Sequence, residues 1–326
     1  MSFLTNVKEK LTGKKTPQAV QEQPQQLKTH THDSSVKQKP ASTQSAPQAS
    51  KSVAAPSGLA GVKNIIAVAA GKGGVGKSTV SVNLAYSLRK TGAKVGIMDA
   101  DIYGPSIPTM IKVDTPPGSE GNTIIPPQAN GIKFVSIAMF AQANQANILR
   151  GPMAGNVAKQ FLTQVDWGEL DYLIIDYPPG TGDIQLTISQ TASLTGAIVV
   201  TTPQELALLD VRKAVSMFKT MKVPVLGVVE TMSYFQIPGQ EEKHYIFGEG
   251  GGKRLAKENG ISLLGQIPIN PDIAKGGDSG EPFCLAHPEC EASKVFMEIA
   301  TKTAKQTAIL NDNNDGALSH FKLEWK

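Results

Sequence analysis

The nine residues GKGGVGKST, Gly71 to Thr79, constrain this chain more than any other stretch. They match G-x-x-x-x-G-K-[ST] and follow a continuous apolar run, NIIAVAA (64–70). A helix-compatible stretch from Lys77 to Lys90 comes next, closed by Thr91-Gly92. Strand, glycine bend and helix in that order make a phosphate cradle. Backbone N–H groups turn inward around phosphate oxygens, and the helix N-terminus adds a favourable dipole. Lys77 is predicted to reach the β- and γ-phosphates of ATP, and Ser78 to set its hydroxyl on Mg²⁺. Thr79 is predicted to touch the α-phosphate. Gly71, Lys72, Gly73, Gly74, Val75 and Gly76 form the rest of the cradle. The expected activity is ATP hydrolysis.

The remaining chain repeats this rhythm. Strand candidates are 94–99, 132–138, 171–176, 196–201, 224–230 and 263–269; helical stretches lie at about 154–165, 183–194, 205–221, 251–259 and 289–308. Alternation of this kind predicts an α/β fold, a mainly parallel sheet with helices on both faces. Two stretches break the rhythm, Asp114 to Asn130 and Gln236 to Lys243. Ligands of open α/β sheets sit beyond the carboxyl ends of the strands, so both excursions are expected to crowd that edge.

The chain of 326 residues, 40% hydrophobic, divides by composition. Residues 58–310 form the ATPase domain, and 311–326 a C-terminal tail. Residues 16–57 are a linker of Gln, Pro, Ser, Thr, Ala and Lys that cannot bury enough apolar surface to order itself. Residues 1–15 set Phe3, Leu4, Val7 and Leu11 on one helical face among lysines. That face suits weak contact with a membrane surface, or is simply a frayed soluble end. Residues 1–55 hold 8 lysines against 3 acidic residues, while the rest of the chain holds 24 basic against 25 acidic. The positive balance therefore belongs to the tail, and no nucleic-acid partner is expected. No apolar run is long enough to cross a bilayer and no secretory segment follows the start Met. With two cysteines, too few for a disulfide framework, the expected compartment is the cytoplasm.

Acidic residues fall where such a site needs them. Asp99 closes a strand and Asp101 lies two residues beyond. Asp101 is assigned to the attacking water and Asp99 to the metal shell, with a plain strand-end role as the alternative for Asp99. In DYLIIDYPPGTGD (171–183), four apolar residues lead to Asp176, the carboxylate expected to steady Mg²⁺ through water. The turn after it puts Gly180 where a backbone N–H could sense the γ-phosphate, making a candidate switch. Pro203 and Gln204 are expected on the active edge; Glu205, Asp210, Arg212 and Lys213 read as a solvated helix face.

Lys72, following the first glycine, gives G-K-G-G-x-G-K-[ST]. This resembles the signature lysine of the deviant Walker A class that includes MinD, ParA and the nitrogenase iron protein. There the lysine reaches the partner subunit's phosphates, so the resemblance implies a homodimer with Lys72, Lys77 and Asp101 as catalytic groups. DADIYGPSIPTM (99–110), RGPM (150–153), DYPPGTGDIQLT (176–187), TTPQELAL (201–208) and IFGEGGGKRLA (246–256) narrow the likeness to the Mrp (ApbC-like) family. Roughly residues 60 to 310 are covered. The resemblance implies an iron–sulfur cluster carrier ATPase that serves apoprotein clients or scaffold proteins.

Three departures stand out. The family carries C-x-x-C after E-N-M-S, offering four thiolates per dimer to a [4Fe-4S] cluster. Residues 230–248 here, ETMSYFQIPGQEEKHYIFG, contain no cysteine, and His244 is the softest donor nearby. Cys284 and Cys290, with five residues between them and His287 among those, match no cluster or zinc pattern and read as ordinary thiols. Thr231 occupies the Asn position that resembles an adenine reader. The additional N-terminal α/β domain of many bacterial members is replaced by the linker and basic segment. The competing reading is a MinD- or ParA-like positioning or regulatory ATPase without a cluster.

Overall fold

The computed structural model describes residues 57–102, 104–113, 116–136, 138–141, 151–237 and 239–319. The basic segment 1–15, all of the linker but Ser57, and residues 320–326 lie outside the described residues.

In chain order the elements begin with β1 (Val62–Ala70), α1 (Lys77–Lys90), β2 (Val95–Asp99) and α2 (Ile107–Met110). Four strands follow, β3 (Gly118–Glu120), β4 (Thr123–Ile125), β5 (Gln128–Ala129) and β6 (Ile132–Ser136), then α3 (Ala138–Ala141) and α4 (Gly151–Gln164). Next come β7 (Leu170–Asp176), α5 (Asp183–Thr191), β8 (Gly196–Thr201), α6 (Glu205–Thr220) and β9 (Val225–Glu230). The chain continues with β10 (Phe235–Gln236), β11 (Lys243–His244), α7 (Gly251–Asn259), β12 (Leu263–Gln266), α8 (Pro271–Ser279), α9 (Phe283–Ala286) and α10 (Glu291–Ser319).

Eight strands form one sheet in the order β12-β9-β8-β1-β7-β2-β6-β5, parallel throughout except for the antiparallel edge strand β5. The central strands carry continuous apolar runs, Ile65–Ala70 in β1 and Leu173–Ile175 in β7, because both sheet faces are covered. Their side chains alternate between two cores. Ile65, Ala67 and Ala69 meet α4, α5, α6 and α7 on one face. Ile66, Val68 and Ala70 meet α1, α2, α9 and α10 on the other. Helix α1 is buried continuously from Val80 to Leu88, with the sheet on one side and α10 packed against it.

The expected α/β architecture is therefore observed, with three differences. The excursion 114–130 does not crowd the carboxyl edge. Its β3–β4 hairpin ends beside the start of β7, where Ile124 bridges Val165 and its carbonyl accepts the Asp166 N–H at 2.9 Å. Strand β6 runs parallel to β2, so the chain leaving the carboxyl end of β2 must return to the amino edge first. The second excursion, 236–243, does stay at the carboxyl edge as the antiparallel β10–β11 pair following β9. Finally, α10 runs on to Ser319, through the position where sequence composition ends the domain at 310. Its Phe296, Ile299, Ala300, Thr303 and Thr307 are buried at helical spacing.

The short helices α2, α3, α8 and α9 are not anticipated by the sequence pattern, which extends a strand to 138 where β6 ends at Ser136. For α8 a signal existed: Asn270 accepts the Asp272 N–H at 2.8 Å, Pro271 opens the helix and Gly280 closes it in left-handed conformation. Among the described residues no helix is long and apolar enough to cross a membrane.

Candidate nucleotide site

The glycine bend lies at the carboxyl edge, between the end of β1 and the start of α1. Gly71 has no room for a side chain, since a Cβ there would meet the Asp210 backbone of α6 at 2.2 Å. Gly76 holds φ at 83°, a left-handed value that lets α1 start directly from the bend. Lys77 is 7% exposed and turned inward. Lys72 is half-buried, and its ammonium has no hydrogen bond or ion pair among the described residues.

Strand register brings the carboxylates to the bend. Asp176 lies level with Asp99 across β7 and β2, and level with Val68 across β7 and β1. Its Oδ2 accepts the Lys77 ammonium at 2.7 Å and the Ser78 hydroxyl at 2.7 Å. Its Oδ1 accepts the Ser81 hydroxyl at 2.6 Å. Asp101 stands 3.7 Å from the same ammonium. Asp99, assigned from sequence to the metal shell, lies behind this layer: Oδ1 accepts the Asp101 N–H at 3.1 Å and Oδ2 the Ser136 hydroxyl at 3.0 Å. Both of its oxygens are thus engaged within the protein, and it fixes the loop that carries Asp101.

Three carboxylates therefore face one buried ammonium. Burial, then the charge of Asp176, pushes the Asp99 carboxyl up to about 7. Burial likewise raises Asp101, against the opposing pull of Lys77. An uncompensated negative charge in a shielded site is expensive. Hydroxyl and carboxylate oxygens around it form the hard donor set that suits a small divalent cation.

Ser81, Ser106 and Ser136 escaped the sequence reading. Ser81 has a signal in hindsight, since it follows Lys77 by one helical turn on the same face of α1. Ser106 donates to Ser78 at 2.8 Å and Ser136 to Asp99, contacts made across the fold with no local signature.

Thr231 takes a different part from the expected one. Its hydroxyl donates to the Val75 carbonyl at 2.6 Å, with the Thr201 carbonyl at 3.1 Å. A hydroxyl has a single proton, and here two backbone acceptors compete for it. Thr231 therefore braces the floor of the bend, and its oxygen keeps acceptor capacity at the edge of the cavity it lines. Beside it opens an apolar cavity of about 290 Å³, lined by Gly76, Thr79, Met232, Phe247, Ile269 and Ile273.

Gly180 also sits on this edge, with φ at 91°. Its N–H donates to the carbonyl of Ala70, the last residue before the bend, at 3.2 Å. The Gln185 amide holds the carbonyls of Pro178 and Pro179, both at 3.1 Å. Pro203 is buried and Gln204 exposed. The remaining charges of α6 behave as a solvated face: Arg212 pairs with Glu205 and Glu258, and Lys213 with Asp210.

The thiols lie apart. Cys284 is buried on α9, its N–H donating to the Asn83 side chain at 2.9 Å, and burial raises its pKa to about 11. Cys290 is half-buried and shares a cavity of about 260 Å³ with Gln236, Ile237 and Gly239 of the second excursion. Among the described residues no group of three or more His, Cys, Asp and Glu side chains could hold a metal ion.

Residues 61–304 match the family model described as ParA, NUBPL iron-transfer P-loop NTPase. An iron–sulfur cluster carrier protein of Aquifex aeolicus is 49% identical over 243 residues, 74% of this chain and 67% of that protein. An iron–sulfur cluster transfer protein NUBPL of Dictyostelium discoideum is 45% identical over 260 residues, 79% of this chain and 80% of that one. A nucleotide-binding protein of Archaeoglobus fulgidus, solved in complex with ADP, superposes with a TM-score of 0.64 at 40% identity, covering 73% of this chain and 94% of that one.

Two predictions come from this geometry. The raised carboxyls make the folded, cation-free protein hold protons that the unfolded chain, with carboxyls near about 4, releases. Stability is thus full below the unfolded value and is lost as pH rises through about 7. In magnesium-free buffer, Asp99→Asn should raise Tm at about pH 8 far more than at about pH 5; equal shifts at both would refute the assignment. Thr231→Val should lower unfolding free energy by about 1–3 kcal/mol, because the buried Val75 carbonyl loses its donor, while Thr231→Ser should not. A Thr231→Val protein of unchanged stability but altered preference between ATP and GTP would mark Thr231 as a base reader after all.

Proposed function

The chain belongs to the ParA-type NUBPL iron-transfer P-loop NTPase family, and from that premise we propose that it binds MgATP and hydrolyses it slowly as a homodimer. The nucleotide cycle then drives the transfer of iron–sulfur clusters to apoprotein clients. One observation carries the nucleotide part of this reading. A glycine bend with one buried lysine and a surplus of buried carboxylates adjoins an apolar cavity of about 290 Å³.

The amides of Gly73 to Lys77 receive the phosphates. Lys77 exchanges Asp176 for β- and γ-phosphate oxygens, which releases Asp176 for metal duty. Mg²⁺ would be held by the Ser78 hydroxyl and, through water, by Asp176, and it supplies charge neutralisation between the β- and γ-phosphates. Asp101, fixed by Asp99, orients the attacking water and takes up its proton. Gly180 trades the Ala70 carbonyl for a γ-phosphate oxygen, so the stretch 177–182 distinguishes ATP from ADP. Lys72, half-exposed and without a partner among the described residues, reaches the partner subunit's phosphates in the manner of an arginine finger. The adenine lies in the apolar cavity beside Gly76 and Thr79, whose largely aliphatic wall favours a flat base.

Cluster handling follows from the names of the relatives, an iron–sulfur cluster carrier protein and an iron–sulfur cluster transfer protein. The ligands must differ from the family's pair. Of the two thiols, Cys290 is the better candidate: it is half-buried and adjoins the β10–β11 segment, whereas burial keeps Cys284 protonated. The second reading is a regulatory or positioning relative that binds no cluster. It is favoured by the missing C-x-x-C and by the absence of a three-ligand group among the described residues.

Lys77→Ala should abolish ATP binding in calorimetry. Lys72→Ala should retain binding and slow turnover by about 10³-fold or more, the scale of a lost arginine finger. Turnover unchanged in Lys72→Ala would remove the two-subunit site. Anaerobic reconstitution with iron and sulfide should give a visible absorption band that Cys290→Ala loses and Cys284→Ala keeps. No band in the parent protein would favour the cluster-free reading.

A further inference from the structure

A second cavity, of about 340 Å³, opens at the far end of α1, between its last turns, α9 and the first turns of α10. Helix α1 has 14 residues, so roughly 20 Å separates this end from the glycine bend. The volume falls in the range of small-molecule sites, about 300–1,000 Å³.

Its walls combine two kinds of surface. Tyr86, Leu285 and Met297 give an apolar side. Arg89, Lys90 and Lys294 give three cations, against the single carboxylate of Glu289. None of the three cations has an ion pair among the described residues. The first turn of α10 adds the positive end of a 29-residue helix. Glu291, which opens that helix, is turned away to accept the Tyr234 hydroxyl at 2.7 Å, so it leaves this cavity's charge intact.

An independent observation also points to a ligand. Ser293, on the cavity wall, is 5% exposed, and its hydroxyl has only the weakly hydrogen-bonding Cys284 thiol to interact with, no oxygen or nitrogen partner. A change of serine rotamer would present it to a bound oxygen. The neighbouring Ser87 hydroxyl is already committed, donating to the Cys284 sulfur at 3.6 Å.

We propose that this cavity binds a small amphiphilic anion, with a carboxylate or phosphate head against Arg89, Lys90, Lys294 and Ser293 and an apolar body over Tyr86, Leu285 and Met297. The thiol of Cys284 lines the site as a neutral group and forms no bond to the ligand. Burial holds its pKa at about 11, where the reactive thiolate is scarce.

The full chain labelled with ¹³C-methyl methionine tests this. The Met297 methyl signal is identified by its loss in Met297→Leu. It should shift saturably with octyl phosphate or with octanoate, the stronger of the two identifying the preferred head group. Octyltrimethylammonium should leave it in place. The Met232 signal, from the cavity beside the glycine bend, reports on that other site. Arg89→Ala combined with Lys294→Ala changes only exposed side chains and should raise the half-saturating concentration about tenfold. A Met297 signal unmoved by both anions overturns the proposal. So does one moved equally by the cationic amphiphile, or one whose titration the double variant leaves unchanged. None of these outcomes depends on whether the glycine bend binds ATP.

Discussion

One buried ammonium, that of Lys77, holds the carboxyl edge of this sheet together. It lies 2.7 Å from Asp176 and 3.7 Å from Asp101, with Asp99 immediately behind. In a low-dielectric interior such a cluster persists only where charge and hydrogen bonds nearly balance. Hydroxyls supply much of the balance: Ser78 and Ser81 donate to Asp176, and Ser136 donates to Asp99. The balance is still incomplete, with three carboxylates against one cation. That deficit is of the sign that a divalent cation offsets.

The same cluster is mechanically tied to its surroundings. Beneath the bend, Glu230 at the end of β9 and Thr231 just after it work in opposite directions. Thr231 holds the Val75 carbonyl of the bend. Glu230, fully buried, accepts the Ser233 hydroxyl, the Gln266 amide and the Gly252 N–H at the head of α7. Two adjacent residues thus connect the phosphate site to α7 and β12. On the other side, the Gly180 N–H rests on Ala70, one residue before the bend. The bend is therefore tied both to the turn after β7 and to the segments after β9.

That last segment is where the sequence lacks the C-x-x-C that the family resemblance leads one to expect. The β10–β11 pair is held by Phe235 opposite His244 and by the Lys243 ammonium over the Tyr234 ring at 3.9 Å. An aromatic and charged hairpin thus occupies the ground where a thiolate pair is expected. Cys290 reaches the same cavity from the head of α10, a position separated from the hairpin by about fifty residues of chain. Whatever cargo chemistry survives must draw on that different geometry.

Much of this was legible in the sequence. The strand–bend–helix unit at 62–90, the paired aspartates after β2 and Asp176 at the end of β7 are local patterns. Period and turn chemistry within a few residues dictate them, and their coming together follows from parallel pairing in register. Local pattern likewise identified the solvated face of α6. The rest was decided by contacts between distant segments, which leave no periodic trace. That Asp99 is also held by Ser136, 37 residues away, has no trace in its local sequence. Nor do the sequence neighbours of Thr231 reveal its bond to Val75, 156 residues earlier. The hairpin of 118–125 went to the amino edge because a parallel β6 obliges the chain to return. Sequence by itself determined which groups gather at the glycine bend, since short-range geometry is encoded in neighbouring residues. Only the tertiary structure decided which of them face the ligand and which stand behind, because that depends on which distant hydroxyls and carbonyls claim each oxygen and proton.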